Sequence, residues 1–474
     1  MAPPAPLAGG AGRVPDGARA HVGLTAVPAP SLTLRPRPQP AEARRALAPA
    51  GPPGGLSVLH LTNLDHRSGA GKSAYRIHDA LRRAGVRSRL LARRVTHRDP
   101  DVGRLAPPWL QALDRAVGGR LDRLGLQGLG YPSSFLLPRH PWVRQADVVQ
   151  LHSIHGGGFS HTALPLLARG RPVVWLLHDM WPLTGHCGYS FACERWRTGC
   201  GRCPDLRIHP ALPRDTTALL WRVKRQVYAR TPLVLAAPSR WLAGLARQSP
   251  LLARFPVHVV PPGVDTATFR PVPTRVAREA LGLPPDGSLL LFSAEKVEEP
   301  RKGGALLHQA LARLQPAGGT PLRLLVVGSG AAAWAARAPL PAHTFDYIAH
   351  DHLMALCYAA ADLFVLPTLA ETLGNALLES LACGTPTVAF ATGGVPEVVR
   401  HLETGYLAQP GDVEDLAAGL HTLLADAALR EALGRRGRAL VEAEHTLAAE
   451  AQRYLALYGL VTRRSPRLAL GGGV

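Results

Sequence analysis

"ADLFVLPTLAETLGNALLESLACGTPTVAFATGGVPEVV", residues 361–399, decides how this chain folds. An apolar run ends at Pro367, and a short loop follows. Gly374 and Asn375 then stand where a helix begins, and Gly384 stands where it ends. A second apolar run, "PTVAFAT", comes directly after. Strand, helix and strand in immediate succession predict a parallel sheet covered by helices.

The same alternation extends on both sides. One series runs through "LSVLHLT", "SRLLARR", "DVVQLH", "PVVWLLHD" and "LVLAAPS", closing with "HVVPPG" near residue 263. A second runs from "SLLLFSA" through "LRLLVVGSG", "LFVLPT" and "PTVAFAT" to about residue 445. The fold class is therefore α/β, with two Rossmann-like doubly wound domains and a boundary near "PGVDTATFRP". The expected division is an N-terminal domain over 55–265, a C-terminal domain over 266–445, and a closing helix over 446–462. Residues 1–54, rich in proline, alanine, glycine and arginine, bury too little apolar area to offset chain entropy and are expected to be a disordered tail. Residues 463–474 are expected to be a second tail. Ligands of such sheets lie beyond the carboxyl ends of the strands, so a cleft between the two domains is the expected site.

Within the decisive stretch, the N–H groups at the helix start attract phosphate through hydrogen bonding and the helix dipole. Glu371 and Glu379 flank that start. If the span were wholly helical, they would stand roughly 12 Å apart along the axis at 1.5 Å per residue. Paired glycosidase carboxylates are only about 5–9.5 Å apart, so these two are not one acid/base pair. One carboxylate can hold sugar hydroxyls while the other accepts from a ribose. The plain alternative is a solvated glutamate and a helix-capping one.

Composition narrows the class. The chain of 474 residues carries a formal net charge of +20. Lysine occurs only at 72, 224, 296 and 302, and the remaining basic residues are arginine. With 5% aromatic residues and no nucleic-acid motif, the charge does not make a base-stacking surface, and no nucleic-acid partner is expected. No eighteen-residue apolar run or secretory leader is visible, so the protein is expected in the cytoplasm, any membrane contact being peripheral at its inner face.

In "DHRSGAGKS", Asp65 to Ser73, the residues Gly71, Lys72 and Ser73 mimic the end of a nucleotide-binding P-loop. The first glycine of that motif is missing, His66 standing in its place, and an NTPase reading leaves the second domain without a role. "VVGSGAAA" is a partial glycine pattern that reads as a strand-to-helix turn.

At Glu371 and Glu379 the sequence resembles glycosyltransferase family 4, whose E-x7-E motif appears as "ETLGNALLE". The resemblance covers most of residues 55–460, with "APSRWL", "PPGVDTATFRP" and "PRKG" in the expected order. "LHDMWPLTGHCGYS" and "CGRCP" make it closest to the exopolysaccharide and colanic-acid type. It departs at Pro262, where asparagine is common. The resemblance implies a GT-B fold and retaining transfer of a sugar from a nucleotide-diphosphate sugar to a saccharide or lipid-linked saccharide acceptor, in cell-surface polysaccharide biosynthesis. It implies no cofactor required for catalysis. A non-catalytic nucleotide-sugar or saccharide-binding protein of the same fold is the alternative.

The resemblance also assigns residues. Arg301 and Lys302 neutralise the donor diphosphate, and two cations ahead of Gly303 and Gly304 suit a leaving group whose charge grows in the transition state. Glu379 takes the nucleotide ribose. Glu371 takes the transferred sugar and its neighbouring phosphate, with Thr372, Leu373, Gly374 and Asn375 supplying backbone donors. His178 orients or polarises the reacting groups, its tautomer fixed by Asp179. Gly69 and Gly71 allow close backbone approach to the donor from the opposite domain, Lys72 being a helix-start cation. His152 and His155 line the cleft.

Four cysteines, Cys187, Cys193, Cys200 and Cys203, fall within seventeen residues. Their spacing suits tetrahedral structural zinc, and reduced thiols packed in the fold are the alternative. Cys357 and Cys383 sit in apolar helical patterns and read as core.

Overall fold

The computed structural model describes residues 55–65, 68–96, 98–314 and 321–464. The expected tails lie outside these residues, except that 463 and 464 close the final helix, Leu447–Arg464.

Two parallel sheets form. The first comprises β1 (Ser57–Leu64), β2 (Arg87–Arg94), β3 (Val102–Arg104), β4 (Val148–Leu151), β5 (Val173–Leu176), β6 (Leu233–Ala237) and β7 (Val257–Val259). Its spatial order is β3-β2-β1-β4-β5-β6-β7. The second comprises β8 (Ser288–Lys296), β9 (Leu322–Ser329), β10 (Ala342–Phe345), β11 (Leu363–Leu366), β12 (Thr387–Phe390) and β13 (Gly405–Ala408). Its order is β10-β9-β8-β11-β12-β13. Each sheet reverses its winding beside its first strand, at β1/β4 and at β8/β11, where an open α/β sheet leaves a crevice at its carboxyl edge.

Central strands are apolar on both faces because helices cover both: "VVWL" in β5, "LFVL" in β11 and "TVAF" in β12 are buried throughout. The periodicity therefore found the central strands and missed β3, β10 and β13. All three are short edge strands, paired on one side only.

The final helix does not stay with the second sheet. Its Tyr454, Leu457, Tyr458 and Val461 pack with Val58, Val148 and Val174 of the first and with Ile77 of the helix Ser68–Arg83 that covers it. The chain returns across a short bridge between Val264 and Thr446, and Glu450 accepts the Gly263 N–H at 2.9 Å. Gly263 leaves room for this crossing, since a Cβ there would meet the Thr446 carbonyl oxygen at 2.5 Å.

Candidate active site

The loop after β11 is built around a turn that only glycine permits. Gly303 has φ +73°, and a Cβ there would stand 1.7 Å from the Pro367 carbonyl oxygen. The turn Pro300–Lys302 thus lies directly against the end of β11, and the Leu369 N–H closes on the Arg301 carbonyl at 2.8 Å. Arg301 and Lys302 are delivered to one carboxylate. Lys302 Nζ donates to Glu371 Oε2 at 2.9 Å and Arg301 Nη1 reaches the same oxygen at 3.4 Å. Glu371 Oε1 accepts the Thr372 N–H at 3.1 Å. Burial alone would raise the Glu371 carboxyl, but the Lys302 and Arg301 charges outweigh it and hold the group at about 2. Gly393 supports the same loop, a Cβ there coming within 1.8 Å of the Glu371 carbonyl oxygen.

Glu379 lies further along, in the helix Asn375–Ala382, and faces a different cation. Arg76, from the helix Ser68–Arg83 of the first domain, donates to Glu379 Oε1 at 2.7 Å and to Asp351 Oδ2 at 2.8 Å. Tyr358 Oη donates to the other Glu379 oxygen at 3.2 Å. Lys72 Nζ reaches Asp351 Oδ1 at 3.0 Å, and the two cations hold that carboxyl at about 2 against the opposing effect of burial. Glu371 and Glu379 thus have separate cationic partners.

Gly69 and Gly71 lie in the first turn of the helix Ser68–Arg83. A Cβ at Gly71 would press on the Leu64 carbonyl oxygen at 2.9 Å, so this glycine lets the helix pack against the end of β1. Around Gly69 there is open space, and its carbonyl accepts from Asn375 Nδ2 at 3.3 Å. Lys72, near the start of this helix, is one side of an interdomain ion pair with Asp351.

His178 follows β5, and its carbonyl accepts from Thr372 Oγ1 at 3.3 Å, bringing the two domains' candidate residues together. Arg301 lies over the Tyr189 ring at 4.6 Å. Two expectations fail here. Asp179 does not hold His178: its Oδ2 pairs with His155 Nε2 at 2.6 Å and its Oδ1 accepts the Trp181 N–H at 2.9 Å. The partner of His178 is His152, whose Nδ1 stands 3.2 Å from His178 Nε2. His152 is buried, so it supports the cleft residue from behind instead of lining the cleft. Burial lowers the His178 imidazole to about 4, leaving it neutral at ordinary pH.

A further clasp joins the domains. Glu397 accepts the N–H groups of Arg240 and Trp241, both at 2.9 Å, at the start of the helix Arg240–Gln248. No motif announced Arg76, Asp351, Tyr189 or Glu397 as partners. The available signal was Arg76 four residues after Lys72, an arginine on a helix face shared with Ser73, Ile77 and Ala80.

The four clustered cysteines line one small cavity together with His186. Cys200 Sγ accepts the Gly185 N–H at 3.2 Å and Cys203 Sγ lies 3.3 Å from His186 Nε2. Among the described residues no three His, Cys, Asp or Glu side chains are set to hold a metal ion. Cys357 and Cys383 are buried in the second domain, as expected.

Comparison with known proteins bears on this arrangement. The profile of Glycosyltransferase Family 4 matches residues 67–268, and that of Glycosyl transferases group 1 matches residues 274–440. D-inositol 3-phosphate glycosyltransferase of Mycobacterium tuberculosis is 28% identical over 388 residues, spanning 79% of this chain and 74% of that protein. Sucrose-phosphate synthase from Thermosynechococcus elongatus superposes with a TM-score of 0.62 at 19% identity, covering 86% of this chain and 100% of that one. Anabaena Alr3699/HepE, solved in complex with UDP and glucose, does so with a TM-score of 0.60 at 18% identity, covering 85% and 100%.

Proposed function

We propose that this chain, whose two halves match the Glycosyltransferase Family 4 and Glycosyl transferases group 1 profiles and whose fold is shared with GT-B structures, is a family 4 type glycosyltransferase that moves a hexosyl unit, with retention, from a nucleotide-diphosphate sugar to a saccharide or lipid-linked saccharide in cell-surface polysaccharide biosynthesis. The observation that carries the reading is the convergence of Arg301, Lys302 and Glu371 with His178 across the two domains. Two cations held beside the carboxyl end of β11 suit a departing diphosphate. In the step proposed, the acceptor oxygen bonds to the anomeric carbon on the face the phosphate leaves. The carbon–oxygen bond to phosphate breaks with its electron pair going to the nucleotide diphosphate, and the hydroxyl proton passes to the departing phosphate oxygen. No protein nucleophile enters, so placement and charge stabilisation supply the rate. Glu371 holds the transferred sugar, Glu379 the ribose, and Thr372 to Asn375 donate backbone N–H groups.

The test is a panel of uridine, guanosine and adenosine diphosphate sugars. One donor class is expected to raise the melting temperature and to be slowly hydrolysed, with Glu379→Ala abolishing the shift. A shift that survives Glu379→Ala removes this carboxylate from the donor site.

Peripheral membrane contact has a definite surface to support it. Trp109 is 67% exposed and Leu113 43% on the helix Pro108–Arg123, and Phe135 and Leu136 are each 40% exposed on the adjoining turn. Arg104, Arg115, Arg120, Arg123, Arg139 and Arg144 of the same segment are exposed. Asp114 and Asp122, the acidic residues of segment 102–145, are taken by Ser133 and Tyr131. A segment that exposes both apolar groups and arginines suits an anionic lipid surface, at about 1 kcal/mol for each basic residue near it. Among the described residues no helix is long and apolar enough to cross a membrane. Co-sedimentation with phosphatidylglycerol vesicles is expected, with about tenfold weaker binding for Trp109→Ser/Leu113→Ser from the apolar area lost. Equal binding to pure phosphatidylcholine, or no effect of the double substitution, would remove this face from the proposal.

A further inference from the structure

Three histidines, His60 on β1, His152 just after β4 and His178 two residues after β5, step along the first sheet toward its carboxyl edge. His60 of β1 pairs in register with Gln150 of β4, two residues short of His152. Leu151 pairs with Trp175 of β5, so the continued register sets His152 beside Leu176, two residues short of His178. Each step crosses one strand and advances two residues, about 6.6 Å at 3.3 Å per residue, which keeps all three side chains on one face of the sheet.

The result is a row of hydrogen-bonded imidazoles. His60 Nδ1 lies 3.0 Å from His152 Nε2, and His152 Nδ1 lies 3.2 Å from His178 Nε2. His60 and His152 are buried, whereas His178 is only partly so. At the inner end, His60 Nε2 is buried with no hydrogen-bond partner among the described residues, and the neighbouring His78 ring, 6.0 Å away, also leaves its Nε2 unpartnered. Burial favours the neutral form of His60, His152 and His178 alike.

A neutral imidazole has one N–H and one lone pair, so each link needs a donor on one side and an acceptor on the other. The row can therefore run in only two directions, and its inner end chooses between them. Run outward-to-inward, it would leave a buried N–H on His60 Nε2 with nothing to receive it. Run inward-to-outward, it leaves only a lone pair there, the lesser loss in a protein interior, where orphaned N–H groups are rarer than under-used acceptors.

We propose that His60 and His152 are positioning residues: His60 Nδ1–H donates to His152 Nε2, His152 Nδ1–H donates to His178 Nε2, and His178 is thereby fixed as the Nδ1–H tautomer. His178 then offers the reacting groups a hydrogen-bond donor and no lone pair at that nitrogen. It can bind a sugar hydroxyl or phosphate oxygen but cannot take the acceptor proton there. The inference rests on the place given to His178 in the proposed reaction, but the tautomer itself can be read without substrate.

The experiment is two-bond proton–nitrogen NMR on histidine-selectively 15N-labelled protein, with His178 identified by its loss in His178→Gln. Wild type is expected to show His178 protonated at Nδ1. His60→Leu, which removes the first donor, is expected to release that preference, whereas His60→Asn, whose amide nitrogen stands near the position of Nδ1, is expected to keep it. In transfer assays His60→Leu should lower kcat about 10–100-fold with the donor KM little changed, and His60→Asn should recover most of that loss. An Nε2–H form of His178 in wild type overturns the proposal even if neither His60 variant folds, and so does a tautomer unaltered by His60→Leu. A correct tautomer in a protein that transfers no sugar would instead count against the reaction proposed above.

Discussion

Lys302→Ala is expected to lower kcat/KM for the nucleotide-sugar donor by about 10²–10³-fold, the usual loss when one preorganised charge-stabilising group is removed. Lys302 is one of two cations that converge on Glu371, and the turn bearing it is locked by Gly303 against the end of β11. No other lysine of the chain is within this loop's reach in sequence except Lys296, which lies on β8 ahead of the turn. The lost charge therefore has no local replacement. Unchanged kcat/KM would remove Lys302 from the diphosphate site.

The same substitution has a pH signature in stability. Glu371 sits at about 2 in the fold against an ordinary value of 4.5. A lowered folded value means stabilisation that is fully present above about pH 4.5 and is lost as the pH falls toward 2. Without Lys302, only Arg301 and the Thr372 N–H oppose the cost of burying the carboxylate, so its folded value rises and the stabilisation shrinks. Urea unfolding should therefore find Lys302→Ala less stable than wild type at pH 7, with the gap closing as the pH approaches 2. A gap that stays constant across that range would show that the ion pair does not link Glu371 to folding.

Arg76→Met is expected to destabilise the protein by about 3–5 kcal/mol, the cost of leaving buried charge without its partner. Arg76 is buried and donates to Glu379 and Asp351, carboxylates of the opposite domain, while its guanidinium lies 5.4 Å from the centre of the Phe269 ring. Lys72 can still serve Asp351. Glu379 keeps only the Tyr358 hydroxyl. Pairing the change with Glu379→Gln removes the stranded charge, so the double variant should recover much of the loss. Thermal and urea unfolding of the two single variants and the double variant measure this coupling directly. A loss under about 1 kcal/mol for Arg76→Met would mean that the pair is effectively solvated.

Much of this architecture was legible before any coordinates. "PVVWLL" and "LFVLP" are apolar without alternation because both faces of each strand are covered, a property local sequence records. Glu371, Glu379, Arg301 and Lys302 stood out because each lies in a short motif beside a strand end. The edge strand "GYLA" left little trace, since a strand paired on one side needs no long apolar run. Asp179 looked like the partner of His178 because it is the next residue. Its carboxylate is directed instead to His155 and the Trp181 N–H.

Local sequence by itself determined the parallel α/β layers, the glycine-locked turn that carries the two cations, and the separation of Glu371 in the loop from Glu379 in the helix that follows it. Each follows from backbone periodicity or from a φ that only glycine adopts readily. Tertiary structure alone decided that Arg76 meets Glu379, that the final helix returns to the first sheet, that four cysteines gather around one cavity, and that three histidines share one row. These depend on which side chains the sheet register and domain closure bring within about 3 Å, the range over which hydrogen bonds act, and residues far apart in the chain carry no local pattern for that.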